Sequence, residues 1–122
     1  PHSRHTEVAK EDILACGEIE VLAESEEAGL YLMQSRDGRQ VFVTGHGEYD
    51  ADTLEKEYLR DVNQGKPIAP PVGYYPGGDT TQRPVVSWRA HANLLYGNWL
   101  NFVYQETPYH LEKLFPVRTR AK

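Results

Sequence analysis

The sequence predicts a mixed α/β domain, and three observations carry that prediction. Short β-type runs rich in Val, Ile and Leu fill the first third of the chain. The last of them, Gln40-Val41-Phe42-Val43-Thr44, stops at Gly45 and is followed by Leu54, Tyr58 and Val62 at the four-residue spacing of a helix face. A second helical period, Trp88, Ala92, Leu95, Trp99 and Phe102, comes after a segment crowded with proline and glycine.

Residues 1–8 are polar and mixed, and residues 10–14 read as a helical turn leading to Ala15-Cys16-Gly17. A strand over 18–24 places Ile19, Val21 and Ala23 on one side, as a period of two requires. Two more strands follow at 28–35 and 39–44. Arg36-Asp37-Gly38 lies between them, and Asp-Gly marks a tight hairpin. The third strand alternates least and reads as one buried on both faces.

Asp50 is the expected N-cap of a helix over 51–63, because its carboxylate suits the unpaired N–H groups of a first turn. Gly65 and then Pro67 end that helix. Residues 65–84 contain Pro67, Pro70, Pro71, Gly73, Pro76, Gly77 and Gly78 and show no period. About twenty residues without regular structure is long beside the usual ~4–6. Such a loop serves as a lid, a binding loop or a subunit contact, for example in a homodimer, or else is a surface excursion. The second helix is expected over 87–105, on the order of 28 Å long at ~1.5 Å per residue. Its tryptophan stripe reads as core. Thr107 and Pro108 suit the cap and first position of a further short helix.

With 122 residues the chain makes one modest domain. Its 39% hydrophobic and 25% charged residues are ordinary for a globular protein. A net charge of −5 without a basic run argues against nucleic-acid binding, since the only basic cluster is Arg118-Thr119-Arg120-Ala121-Lys122. No apolar run reaches spanning length and no signal-peptide pattern opens the sequence, so neither a membrane nor export is expected. One cysteine excludes an internal disulfide and fits a cytoplasmic protein.

The candidate chemistry centres on His46 and Glu48. A histidine with a carboxylate partner, just past a strand end, is the base half of a nucleophilic dyad or triad. On an extended backbone the two side chains point the same way without touching, and a bend at Gly47 brings them together. An exposed histidine beside a solvated glutamate has the same spacing. Cys16, the only thiol, precedes a strand instead of following one, the reverse of a nucleophile elbow. The nucleophile is thus expected elsewhere. Together with an initial proline, that fits a segment of a longer protein, and a processed chain would read the same. His2 and His5, with His46 and Glu48, are metal-ligand types, but nothing in the spacing joins them, and no metal is expected. His91 and His110 fall in helical contexts as polar-face or capping residues. Arg60 lies opposite the apolar stripe of its helix. It is a solvated arginine by default, or a carboxylate grip if the substrate carries one.

Pro1-His2-Ser3-Arg4, Leu22-Ala23-Glu24-Ser25-Glu26-Glu27-Ala28-Gly29, Gly38-Arg39-Gln40-Val41-Phe42-Val43-Thr44-Gly45-His46 and Glu48-Tyr49-Asp50-Ala51, with Ser87-Trp88-Arg89, Asn98-Trp99-Leu100-Asn101 and Thr107-Pro108-Tyr109, form a specific set. In these landmarks the chain resembles the carboxyl-terminal part of the homoserine O-acyltransferases of methionine biosynthesis, over nearly all its length. The resemblance implies a class I glutamine-amidotransferase-like (flavodoxin-like) three-layer α/β domain, with residues 1–122 its C-terminal part. It implies a ping-pong reaction in which a cysteine takes an acyl group from succinyl- or acetyl-CoA and passes it to the hydroxyl of L-homoserine. Acyl-CoA is then a co-substrate, and no cofactor is bound. On this resemblance His46 is the catalytic base, Glu48 its partner, Arg60 the arginine that holds the amino-acid substrate, and Ser3 a substrate-contacting serine. The cysteine and an active-site lysine lie upstream. One departure is His46-Gly47-Glu48, where the family usually reads His-Pro-Glu. A related glutamine amidotransferase or hydrolase, and a non-catalytic binding or assembly fragment, are the alternative readings.

Overall fold

A computed structural model describes residues 1–110. They fall into two compact units divided between Arg89 and Ala90. The first contains a short helix α1 (Lys10–Cys16), strands β1 (Ile19–Ser25), β2 (Gly29–Ser35) and β3 (Val41–Val43), helix α2 (Thr53–Asn63) and a 3₁₀ turn at Pro76–Gly78. The second is built on α3 (Arg89–Glu106), whose first residue belongs to the first unit. Helices beside a small sheet agree with the predicted α/β class at that coarse level.

The sheet is antiparallel, in the order β1-β2-β3. Ile19 pairs with Ser35 and Ser25 with Gly29, and the register shifts around Ala23. Ile19, Val21 and Ala23 are half-buried while their neighbours are exposed, as the alternation predicts. Leu30 and Met33 are the buried residues of β2. A hairpin forms at Asp37-Gly38, but more loosely than the tight turn expected: the Gly38 N–H donates to the Ser35 carbonyl at 2.8 Å, with Gly38 at φ 71°, and the loop closes only where the Ser35 N–H donates to the Gln40 carbonyl at 2.9 Å. Ser35 Oγ also donates to Asp37 at 2.6 Å. β3 differs from expectation. It is only three residues long, and Phe42 is 38% exposed, so it is not buried on both faces. The hairpin uses Arg39 and Gln40 in its turn, and β3 is an edge strand of this sheet.

α2 begins at Thr53, two residues later than predicted, and Asp50 does not cap it. The Asp50 carboxylate instead accepts from Arg89 Nη2 at 2.9 Å. The capping work falls to Tyr74. Its hydroxyl accepts from the Glu55 N–H at 3.2 Å and donates to the Ala51 carbonyl at 2.6 Å. An unpaired first-turn donor is thereby satisfied from a distant loop. Leu54 and Asp61 are the buried residues of α2 and Val62 is exposed, so the packing stripe is rotated from the Leu54–Tyr58–Val62 line. Gly65, at φ 73°, closes the helix by donating to the Val62 carbonyl at 2.9 Å.

The loop at 65–84 is mostly irregular, but it is not a plain excursion. Tyr74 and Tyr75 are buried with Leu54 in one cluster, against which Tyr49 and Trp88 pack. The Val85 N–H donates to the Tyr74 carbonyl at 2.8 Å. An aromatic side chain buries roughly 150–250 Å² at about 25 cal/mol per Å², several kcal/mol each, against about 1 kcal/mol net for a hydroxyl hydrogen bond. Ring burial therefore holds the loop, and the Tyr74 hydroxyl sets where it sits on α2.

In the second unit α3 runs to Glu106, close to the expected span. Trp88 lies outside it, in the cluster of the first unit. Ala92 is buried, but Trp99 and Phe102 are 43% and 41% exposed, so the predicted stripe is not core among the described residues. Among the described residues the second unit has no other helix or strand to cover such a face. Thr107 closes α3, with its N–H donating to the Val103 carbonyl at 3.0 Å and its Oγ1 at 2.6 Å, and residues 108–110 are not helical. His110 is therefore past the helix. The rest of the predicted short helix, and the basic cluster, lie outside the described residues. Among the described residues no helix is long and apolar enough to cross a membrane.

Candidate active site

β3 ends at Val43, and the chain passes through Thr44 and Gly45 to His46. Gly45 is buried because two rings close over it. A Cβ there would lie 2.7 Å from Tyr31 Cε2 and 3.1 Å from His2 Nε2. The next four residues form a turn, with the Tyr49 N–H donating to the His46 carbonyl at 3.4 Å. Gly47 and Glu48 occupy its centre. Gly47 does not use the left-handed region that only glycine enters readily.

The turn brings the two side chains into contact. His46 Nδ1 is 2.7 Å from Glu48 Oε1. With Nδ1–H donating to the carboxylate, Nε2 carries the lone pair. Glu48's pKa is lowered, first by that hydrogen bond and then by a backbone one. The imidazole also stacks on Tyr49, with ring centroids 4.3 Å apart and planes 16° apart. The His46 N–H donates to the Pro1 carbonyl at 2.7 Å, which ties the turn to the start of the chain.

Tyr49 leads to the other two sequence candidates. Its hydroxyl donates to Glu57 Oε1 at 2.9 Å, and Ser3 Oγ donates to Glu57 Oε2 at 2.5 Å. Burial and then the Glu57 bond raise the Tyr49 pKa. Trp88 Nε1 holds the Tyr49 carbonyl at 3.1 Å. Arg60 lies one helical turn beyond Glu57, and its pKa is raised, first by its hydrogen bond to Asp61 and then by the Asp61 charge. Its Nε donates to Asp61 Oδ1 at 3.0 Å. Asp61 is only 4% exposed and also accepts from Lys66 Nζ at 2.7 Å. These two hydrogen bonds hold the Asp61 carboxyl far below the usual range.

Beside this set lies a cleft of about 480 Å³, lined in part by His2, Arg4, Leu54, Tyr74 and Trp88. Pro1 also lines it, whereas His46 and Glu48 do not. The His2 ring sits edge-on to Tyr31 at 5.8 Å, and its Nδ1 is buried without a hydrogen-bond partner among the described residues. Burial, and then the Arg4 guanidinium, lower its pKa. Cys16 is exposed at the last residue of α1. Among the described residues no group of three His, Cys, Asp or Glu side chains is placed to hold a metal.

Sequence reasoning named His46, Glu48, Arg60 and Ser3 but missed Glu57, which accepts hydrogen bonds from Ser3 and Tyr49. Its signal was available: an acid three residues before Arg60 shares its helix face. The stacking of Tyr49 on His46 has no such signal, because it depends on the turn.

A family model described as homoserine O-succinyltransferase matches residues 1–109. A homoserine O-acetyltransferase of Desulfitobacterium hafniense (strain DSM 10664 / DCB-2) is 62% identical over 115 residues, 93% of this chain and 38% of that protein. Proteins of the same name are similar at 62% in Brevibacillus brevis (91% of this chain, 37% of that protein) and at 61% in Acetivibrio thermocellus (93% and 38%). The chain thus spans less than two fifths of the length of these relatives. By the family match and these identities, the chain belongs to the homoserine O-succinyltransferase family.

Proposed function

We propose that the protein containing this segment transfers an acyl group from acyl-CoA to the hydroxyl of L-homoserine, and that His46 is the base for both halves of the reaction. The observation that carries this reading is the 2.7 Å contact of Nδ1 with Glu48, which fixes the tautomer and leaves Nε2 to accept a proton.

In the first half, Nε2 takes the proton of a cysteine thiol supplied by another stretch of the protein. The thiolate attacks the acyl carbonyl carbon. The bond to the CoA sulfur breaks, and the imidazolium returns its proton to that sulfur. In the second half, Nε2 takes the homoserine hydroxyl proton and the oxygen attacks the thioester. The enzyme sulfur leaves and is reprotonated. Glu48 stabilises the imidazolium each time. Arg60 receives the substrate carboxylate through its terminal nitrogens, and Ser3 contacts the same substrate. No bound cofactor takes part. The resemblance supports a class I glutamine-amidotransferase-like three-layer domain around this segment, and a cytoplasmic enzyme. The names of the relatives favour acetyl-CoA over succinyl-CoA as donor.

The test is release of free CoA by the intact protein. We expect release from acetyl-CoA that depends on L-homoserine, with succinyl-CoA a poorer donor. Glutamine hydrolysis without homoserine-dependent release would replace this reading with an amidotransferase. No turnover of either kind would replace it with a non-catalytic role.

A further inference from the structure

Arg60 and Asp61 are neighbours on α2, and consecutive residues of a helix point about 100° apart. They meet because the arginine stem folds back until Nε lies 3.0 Å from Asp61 Oδ1. Asp61 is the only buried charged residue among those described, at 4% exposure, and sits on the last turn of α2. A carboxylate there must be compensated, and Arg60 and Lys66 do so on the same oxygen. The second oxygen faces His5, with Nε2 at 3.8 Å. The bond to Arg60 uses only the ε nitrogen. Its two terminal nitrogens donate no hydrogen bond among the described residues, and the side chain is 55% exposed.

We propose that Asp61 is the positioning residue for Arg60: by holding Nε, it locks the guanidinium plane so that the two terminal nitrogens face a substrate carboxylate as a fork. A free arginine side chain must lose rotamer freedom when it binds, and one already held loses less. Asp61 touches no substrate itself. The inference rests on the reading of Arg60 as the group that receives the amino-acid carboxylate.

The test compares two acceptors in the intact enzyme: L-homoserine, and 3-aminopropan-1-ol, which has the same amine and hydroxyl but no carboxylate. The readout is the ratio of their kcat/KM values. Arg60→Ala should collapse the wild-type ratio. Asp61→Asn should narrow it by about tenfold through a higher KM for homoserine, with kcat and the KM for acyl-CoA unchanged. Asp61→Glu, which keeps the charge but displaces it, should fall between. Lys66→Met removes the other hydrogen-bond donor to Asp61 and should lower thermal stability while leaving the ratio intact. A ratio that collapses in Arg60→Ala but stays at the wild-type value in both Asp61 variants overturns the inference alone. A ratio unmoved by Arg60→Ala overturns the reading of Arg60, and the inference falls with it. Asp61 variants that lose kcat for both acceptors equally would make the residue structural and also overturn the inference.

Discussion

The imidazole of His46 lies nearly parallel to the ring of Tyr49, 4.3 Å away, while the Tyr49 hydroxyl donates to Glu57. One side chain therefore forms a wall for the candidate base and also fixes the acid that holds Ser3. Tyr49→Phe keeps the stack and loses only the hydroxyl. It should cost about 1 kcal/mol of stability and leave kcat within a few-fold of wild type. Tyr49→Ala removes both and should lower kcat/KM roughly tenfold, as expected for a lost aromatic pair. Thermal unfolding and steady-state acyl-transfer assays of the intact protein separate the two.

Gly45 is fixed by close approach. A methyl group there would meet the Tyr31 ring edge at 2.7 Å and His2 at 3.1 Å, so one of them must move. Gly45→Ala should destabilise the protein by about 1–3 kcal/mol, the usual cost of overpacking, and displace His46 with it. A melting temperature equal to wild type would show that the rings yield freely.

Gly47 behaves oppositely. It occupies the second position of the turn at 46–49 without a left-handed φ, and no hydrogen bond from its N–H is present among the described residues. Proline suits that position. Gly47→Pro should raise stability by about 0.4–1 kcal/mol, by restricting the unfolded chain, and leave activity intact. Denaturant unfolding measures the gain.

Asp61 gives the acid side of the stability profile. Its folded pKa is depressed by Arg60 and Lys66, so the unfolded chain binds its proton more readily. The stability it contributes is present above the unfolded carboxylate value of about 3.9 and is lost as pH falls from there through the depressed folded value. Asp61→Asn should be less stable than wild type at neutral pH and show a flatter loss below about pH 4. Urea unfolding across that range reads both.

Much of this arrangement is local, and local features were readable. The Asp37-Gly38 turn, the end of α2 at Gly65 and the placing of His46 beside Glu48 each follow from residues within a few positions of one another. What escaped was set by distant partners. Tyr74 caps α2 from about twenty residues away, which frees Asp50 to pair with Arg89 across thirty-nine positions. Asp61 is buried although periodicity favours Val62, because Arg60 and Lys66 compensate its charge. The loop at 65–84 looked structureless because its two tyrosines give no period, yet their rings complete the cluster with Leu54.

Replacing His46 by alanine in the intact protein, and following homoserine-dependent release of CoA, puts the proposed base on trial. Removal of a general base should lower kcat by about 10²–10⁴ while the protein still folds and binds acyl-CoA. Turnover equal to wild type would contradict the role of His46 and, with it, the acyl-transfer chemistry assigned to this site.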